Sequence, residues 1–246
     1  MSCASLSAEE ITRFNRDGYL ILSFERHGLV PDINILQHYL DQVYQWPHEK
    51  ANWRLYYEDS NIHGERILLG TERIIDDHDG LKSILCSQGA HDLLRQLTGK
   101  EMLLFKDEID WKLPGRKGAI AHIDLPAYGH KATRFVEVMI AVDPHTSENG
   151  CMQCVPGSQN EDLPYAENGA VDKGWVDAHR DDFRPIHLNA GDLLLFGERL
   201  CHRLDPNHSQ QARRTLFGTY HYELDRPHLR EEFFAHRLAH APPSNA

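Results

Sequence analysis

Two histidine–aspartate pairs separated by one residue occur in this chain, His122-Ile-Asp124 and His179-Arg-Asp181. In a β-strand, residues i and i+2 point to the same face, so such a pair can reach a single metal ion together. A further histidine from a distant segment would complete two histidines and one carboxylate. That set takes one face of an octahedral Fe(II) and leaves three positions for a chelating cosubstrate and oxygen. The pattern alone is weak, because a chain with 17 histidines acquires about one such pair by chance. Context separates the two. His179 lies in DAHRDDFRP, which is charged and lacks apolar alternation, as in a solvated loop. His122 lies in GAIAHIDLPAYG, among small apolar residues suited to a strand entering a barrel. His-x-Glu also occurs, at His63/Glu65 and His221/Glu223, without such surroundings.

A third ligand strengthens the first pair. Asn189-Ala-Gly-Asp192-Leu-Leu-Leu-Phe196 reads as a turn and a buried strand, and His202 follows shortly after it. Eleven residues further stands Arg213, at the head of another strand, Arg214-Thr-Leu-Phe-Gly-Thr-Tyr. A guanidinium entering the same cavity would grip the far carboxylate of a 2-oxo diacid chelating the metal; the plain alternative is a surface arginine on a β-edge. In FKDEIDWKLPG, Phe105, Ile109, Trp111 and Leu113 share a face expected to pack on helices. Lys106, Glu108, Asp110 and Lys112 share the other face, which looks to solvent or into a barrel mouth. Cys151-Met-Gln-Cys154 reads as a structural thiol pair: no second pair accompanies it, and Val-Pro-Gly-Ser follows rather than a helix.

The elements that must position these groups are only partly legible. Ser7-x-x-Glu10 is a capping box, with Ile11 and Phe14 on a helical stripe that Asp17-Gly18 ends. Tyr19–Ser23 reads as a strand. Helices are expected from Pro31 to Tyr44 and from Leu81 to Leu97, with residues 48–80 unreadable between them. From Lys100 the character changes to short apolar or alternating runs at 101–113, 119–125, 134–142, 151–155, 184–188, 192–196 and 214–223. Gly, Pro, Asn and Asp clusters separate them, which argues a mainly β sandwich or barrel. The run Val136–Val142 is apolar except for Glu137. Residues 161–182 read as a polar insertion, and the tail beyond Arg237 is expected to fray. The expectation is one domain over 1–246, with a helical part at about 1–99 and a β core at about 100–225.

Composition excludes several classes. Hydrophobic residues at 41% and charged residues at 26% are those of a globular chain, not a disordered one. A net charge of −11 disfavours nucleic acid as a partner. No apolar run reaches the roughly 18 residues of a membrane span. MSCASLSAEE has neither the basic nor the apolar segment of a secretion signal, so the cytoplasm is the expected location. Five scattered cysteines do not make a disulfide framework.

The order His-x-Asp, ENGCMQCVPGSQ, AGDLLLF, then a histidine with an arginine eleven residues later resembles the phytanoyl-CoA dioxygenase family of Fe(II)/2-oxoglutarate oxygenases. ITRFNRDGYLIL is similar to that family's opening helix and first strand, and the resemblance runs from about residue 8 to residue 222. It implies a double-stranded β-helix, a distorted jelly roll of cupin-like form with flanking helices. It implies Fe(II) held by His122, Asp124 and His202, 2-oxoglutarate gripped by Arg213, and O2 as the oxidant. Met139 stands where several members have a tryptophan beside the cosubstrate, Ile123 where glutamine is frequent, and Leu204 where a serine is frequent. With Asp124 intact, the halide-binding variant is disfavoured. In the family the face carrying Lys106, Glu108, Asp110 and Lys112 looks into the cavity, where it would meet substrate. The stretch around it is closer to members acting on small metabolites, such as ectoine and 2-aminoethylphosphonate hydroxylases, than to the acyl-CoA enzyme. The expected activity is hydroxylation of a small polar, amine-bearing metabolite with release of succinate and CO2. Desaturation or cyclisation by the same iron chemistry, or a non-catalytic jelly-roll metal binder or sensor, are the alternatives.

Overall fold

In a computed structural model, which describes residues 5–49, 51–62, 64–128, 134–222 and 228–244, the capping box forms as expected. The Ser7 hydroxyl accepts from the Glu10 amide, and the Glu10 carboxylate accepts from the Ser7 amide, opening α1 (Ala8–Asp17). Gly18, at φ 85°, ends it, and β1 (Tyr19–Leu22), the single-turn α2 (Phe24–His27) and α3 (Ile33–Tyr44) follow. The unreadable stretch turns out to be a hairpin, β2 (Arg54–Asp59) and β3 (Arg66–Glu72). A register shift between Tyr56 and Tyr57 breaks its alternation, which removes the period-2 signal that would have betrayed it. The single helix expected over 81–97 is two, α4 (Asp79–Leu85) and α5 (Gln88–Thr98). The chain breaks there because the Ser87 hydroxyl caps α5 by accepting from the Ala90 amide at 3.1 Å.

The remaining elements are β4 (Met102–Lys112), β5 (Ala119–His122), β6 (Phe135–Ala141), β7 (Met152–Cys154), α6 (Lys173–Ala178), β8 (Arg184–Pro185), β9 (Leu193–Gly197), β10 (His202–Leu204), β11 (Arg213–Tyr222) and α7 (Leu229–His240). They form two sheets in which all the strand pairs are antiparallel. One has seven strands in the order β1-β9-β6-β11-β4-β3-β2, the other four in the order β5-β10-β7-β8. This is the mainly β jelly roll with flanking helices. Three of the strands come from the first hundred residues, so the N-terminal part completes the large sheet as well as supplying helices. Leu36, Leu40, Leu81 and Leu93 of the helices pack with Ile109, Val138, Leu195 and Leu216 on one face of that sheet. Met139, Leu194 and Phe196 on its other face pack with Met152 and Cys154 of the small sheet.

Three local readings are refined by the structure. Phe105 packs on a helix as expected, but in a separate cluster from Ile109 and Trp111. A bulge between Thr219 and Tyr220 shifts the β4–β11 register, and Phe105 packs instead with Phe135 and with Phe233 of α7. The polar insertion 161–182 is tied to β5. The amide of Ile123 donates to Gly169 O, and the amide of Val171 to Ala121 O, each at 3.0 Å, and Leu163, Val171 and Phe183 pack over Ala121 and Ile123. The tail past Arg237 docks: α7 continues to His240, Arg237 bonds Glu72, and the Ser244 amide donates to Leu55 O at 2.7 Å. Its anchors are an ion pair and a backbone hydrogen bond to residues far away in the chain, which local sequence cannot reveal. Among the described residues no helix is long and apolar enough to cross a membrane.

Candidate metal centre

Directly opposed residues in neighbouring strands share a face, so the large sheet presents its inner side chains in rows. One row is Lys106, Thr219, Glu137 and Phe196; the next is Glu108, Phe217, Met139 and Leu194. Asp110 and Thr215 follow, and then Lys112 opposite Arg213. Lys106, Glu108, Asp110, Lys112, Met139 and Arg213 all line a cavity of about 310 Å³, together with His122, Asp124 and His202 from the other side. The face carrying the four charges therefore looks into the barrel mouth, not to solvent.

His122 ends β5 and His202 opens β10, and the two are paired residues on adjacent strands. A strand at His202 was not legible, because three residues carry no periodicity. Their rings lie 4.2 Å apart between centroids. Each ring is fixed in the same way: Nδ1 of His122 meets Ile120 O at 2.7 Å, and Nδ1 of His202 meets Leu200 O at 2.9 Å. With Nδ1–H given to a carbonyl, Nε2 keeps its lone pair for a metal. Asp124 Oδ1 lies 3.7 Å from His122 Nε2 and 3.9 Å from His202 Nε2. Burial first, and the neighbouring His122 next, push His202 down to about 4, so it is neutral, the form that coordinates. Among the described residues these three are the group whose ligand atoms converge, all within 4.8 Å of one another. Two imidazoles and a carboxylate fit Fe(II). His179 is elsewhere, stacked on Trp175 with its Nδ1 on Trp175 O. His63 and Glu223 lie outside the described residues.

Arg213 is 1% exposed. Its Nη1 donates to Gly150 O at 2.6 Å and its Nη2 to Asp110 Oδ2 at 3.0 Å, while its Nε is buried with no partner among the described residues. Gly150, at φ 72°, has no room for a side chain: a Cβ there would collide with the Asp205 carbonyl oxygen and meet the Lys112 Cε at 2.9 Å. Asp110 also accepts from Arg116. Burial opposes its charge, but Arg116 and then Arg213 outweigh that and hold its carboxyl below the usual range. Lys112 is 2% exposed. Burial first, then the Arg213 guanidinium, push its ammonium down to about 7. This end of the cavity thus gathers Arg213, Arg116 and Lys112 around Asp110, with Glu58 lying 3.8 Å from Arg116. Arg214, one residue on, faces the other way and is held by Asp143 and Asp41.

The model of the phytanoyl-CoA dioxygenase family matches residues 3–215. The chain belongs to the phytanoyl-CoA dioxygenase family. It is 46% identical over 241 residues to dioxygenase lolE1 of Epichloe uncinata, spanning 98% of this chain and 93% of that one. It is 32% identical to the 2-aminoethylphosphonate dioxygenase of Uncultured bacterium HF130_AEPn_1, over 96% of this chain and 88% of that one. Of solved structures, EctD of S. alaskensis with 2-oxoglutarate and 5-hydroxyectoine superposes with a TM-score of 0.75 at 20% identity, covering 92% of this chain and 79% of that one. As a phytanoyl-CoA dioxygenase family member the chain is an Fe(II)/2-oxoglutarate-dependent oxygenase, with O2 as its third reactant.

Sequence reasoning missed several residues that line this family member's cavity: Tyr128, Arg116, Phe217, Thr219 and Glu137. Glu137 had left a trace, as the one charge in an otherwise apolar strand. The others carry no local signal. The Cys151-x-x-Cys154 pair remains thiols, with burial pushing Cys154 up to about 12, far from a nucleophile's range.

Proposed function

We propose that this oxygenase hydroxylates a small polar metabolite bearing an amine, with His122, Asp124 and His202 holding Fe(II) and Arg213 gripping the distal carboxylate of 2-oxoglutarate. The observation that carries the reading is the convergence of two imidazoles and a carboxylate on one wall of a cavity whose other wall ends in a buried arginine. Iron and 2-oxoglutarate together supply the chemistry: the oxo acid is oxidised to succinate and CO2 while the other atom of O2 enters a C–H bond. The chain's own residues orient and exclude water. Leu204, Met139 and Phe217 line the cavity with apolar surface, and Phe196 sets its ring edge against His202 at 5.4 Å between centroids.

The four charges of β4 divide between the two ends. Lys112 and Asp110 lie with Arg213 and serve the cosubstrate: the lysine as a second cation for its carboxylate, the aspartate as the group that aims the arginine. Lys106 and Glu108, paired at 2.6 Å, lie at the other end and face substrate. A cavity of about 310 Å³ that must also take 2-oxoglutarate leaves room for a compact group, at the low end of ligand-pocket sizes. Likeness to a 2-aminoethylphosphonate dioxygenase supports a zwitterionic substrate of that size.

The test is anaerobic addition of 2-oxoglutarate to the Fe(II)-loaded protein, followed by oxygen and a panel of amines. The expected result is a visible charge-transfer band and then amine-stimulated succinate release. A metal-binding sensor would give the band and no succinate, which would sink the catalytic reading.

A further inference from the structure

Glu137 is 3% exposed and lines the cavity. Tyr128 Oη donates to its Oε1, and Thr219 Oγ1 donates to its Oε2 at 2.8 Å. One hydroxyl on each oxygen is the arrangement that suits an ionised carboxylate. The cation that such a group needs is missing: among the described residues Glu137 forms no ion pair. Lys106, its nearest candidate across Thr219, is committed to Glu108 at 2.6 Å and Glu72 at 3.4 Å, and Glu72 is also held by Arg237 at 2.8 Å. Those four charges cancel, two against two, and leave Glu137 as an uncompensated acid facing the cavity.

Position separates this acid from the cosubstrate. The Glu137–Thr219–Lys106 row lies six residues along β4 and β11 from the Lys112–Arg213 row, which is about 20 Å of strand. A dicarboxylate held at Arg213 and chelating a metal at His122, Asp124 and His202 leaves Glu137 on the far, substrate side.

We propose that Glu137, clamped by the Tyr128 and Thr219 hydroxyls, is the specificity-determining anchor for an ammonium group on the substrate. The inference rests on the amine-bearing substrate proposed above and assigns it a residue. The ammonium fills the place of the missing cation, and its attachment point sets which carbon of a small molecule faces the metal. An alcohol of the same shape brings no charge to that place and binds less well.

The test uses the Fe(II)-loaded protein with 2-oxoglutarate and three probes, 2-aminoethylphosphonate, taurine and β-alanine, each against the analogue with hydroxyl in place of the amine. Succinate release gives kcat/KM for each; the Fe(II)–2-oxoglutarate absorption band reports the integrity of the metal and cosubstrate sites. In the wild type at least one amine should exceed its alcohol by 100-fold or more. Glu137→Gln, which keeps the shape and one of the two oxygens that accept from the hydroxyls, should collapse that ratio to within about tenfold while the band persists. Thr219→Val and Tyr128→Phe should each lower the ratio part-way, and they decide the matter if Glu137→Gln loses the band. A wild-type preference for amines that survives in every variant retaining the band overturns the Glu137 assignment and leaves the amine reading standing. A wild type that no amine stimulates, or that favours the alcohols, overturns both.

Discussion

His122 and His202, eighty residues apart in the chain, are directly paired across two adjacent antiparallel strands, with their ring centroids 4.2 Å apart. Each ring is locked by a carbonyl two residues before it. The backbone therefore sets both imidazoles, and little rotamer freedom remains to be lost when a metal binds.

Alanine at His122, Asp124 or His202 removes one of three converging donors. Iron binding should weaken by at least tenfold and succinate formation should fall to background. His179→Ala, which removes only a stack on Trp175, should leave iron affinity unchanged. Metal titration of the four variants checks this, and iron loss in His179→Ala alone would show that the wrong pair had been chosen.

Arg213→Ala should raise KM for 2-oxoglutarate by a factor corresponding to about 2–5 kcal/mol, the usual cost of losing one partner of a buried charge pair. Asp110→Asn should act in the same direction, because it releases the Nη2 that Asp110 now aims. Arg214→Ala should instead lower stability by about 1–3 kcal/mol through its bonds to Asp143, with 2-oxoglutarate affinity unchanged. Cosubstrate titration and thermal unfolding of the three separate the two effects.

Lys112 provides a pH dependence. Its ammonium is pushed down to about 7 in the free protein, and a bound carboxylate would raise that value again. Affinity for 2-oxoglutarate should then be full below pH 7 and decline as pH rises through 7, by up to tenfold per unit. Lys112→Met should have weaker but pH-independent affinity. Binding measured from pH 6.5 to 8.5 with saturating iron checks the slope. A rise in affinity with pH in the wild type would remove Lys112 from the cosubstrate site.

Asp107 is fully buried on the opposite face of β4 from the cavity charges, and Arg230 of α7 pairs with it. Arg230→Ala strands that acid, which should cost about 3–5 kcal/mol, or roughly 6–20 °C in Tm for a chain of this size. The double change Asp107→Leu with Arg230→Leu should recover much of the loss. If thermal melts show the single variant as stable as wild type, α7 is not latched by this pair.

The chain's local order settled a good deal without any fold. The His-x-Asp spacing works because strand side chains repeat every two residues, and the buried strand ending at Gly197 announces itself as an unbroken apolar run. Lys106, Glu108, Asp110 and Lys112 had to share one face for the same reason. Period-2 logic cannot say what lies opposite that face, and here the tertiary structure decided. Register across β4, β11 and β6 put Asp110 and Lys112 toward Arg213 and Lys106 and Glu108 toward the other end, and set Glu137 beside Thr219. Pairing of β5 with β10 brought His202 to His122, although a three-residue strand has no pattern of its own. The hairpin of β2 and β3 was invisible because a register shift breaks its alternation; Arg230 on Asp107 and Arg237 on Glu72 were invisible for a different reason. Their stabilising partners are charges far away in the chain, and Coulomb attraction between distant residues leaves no period in a sequence.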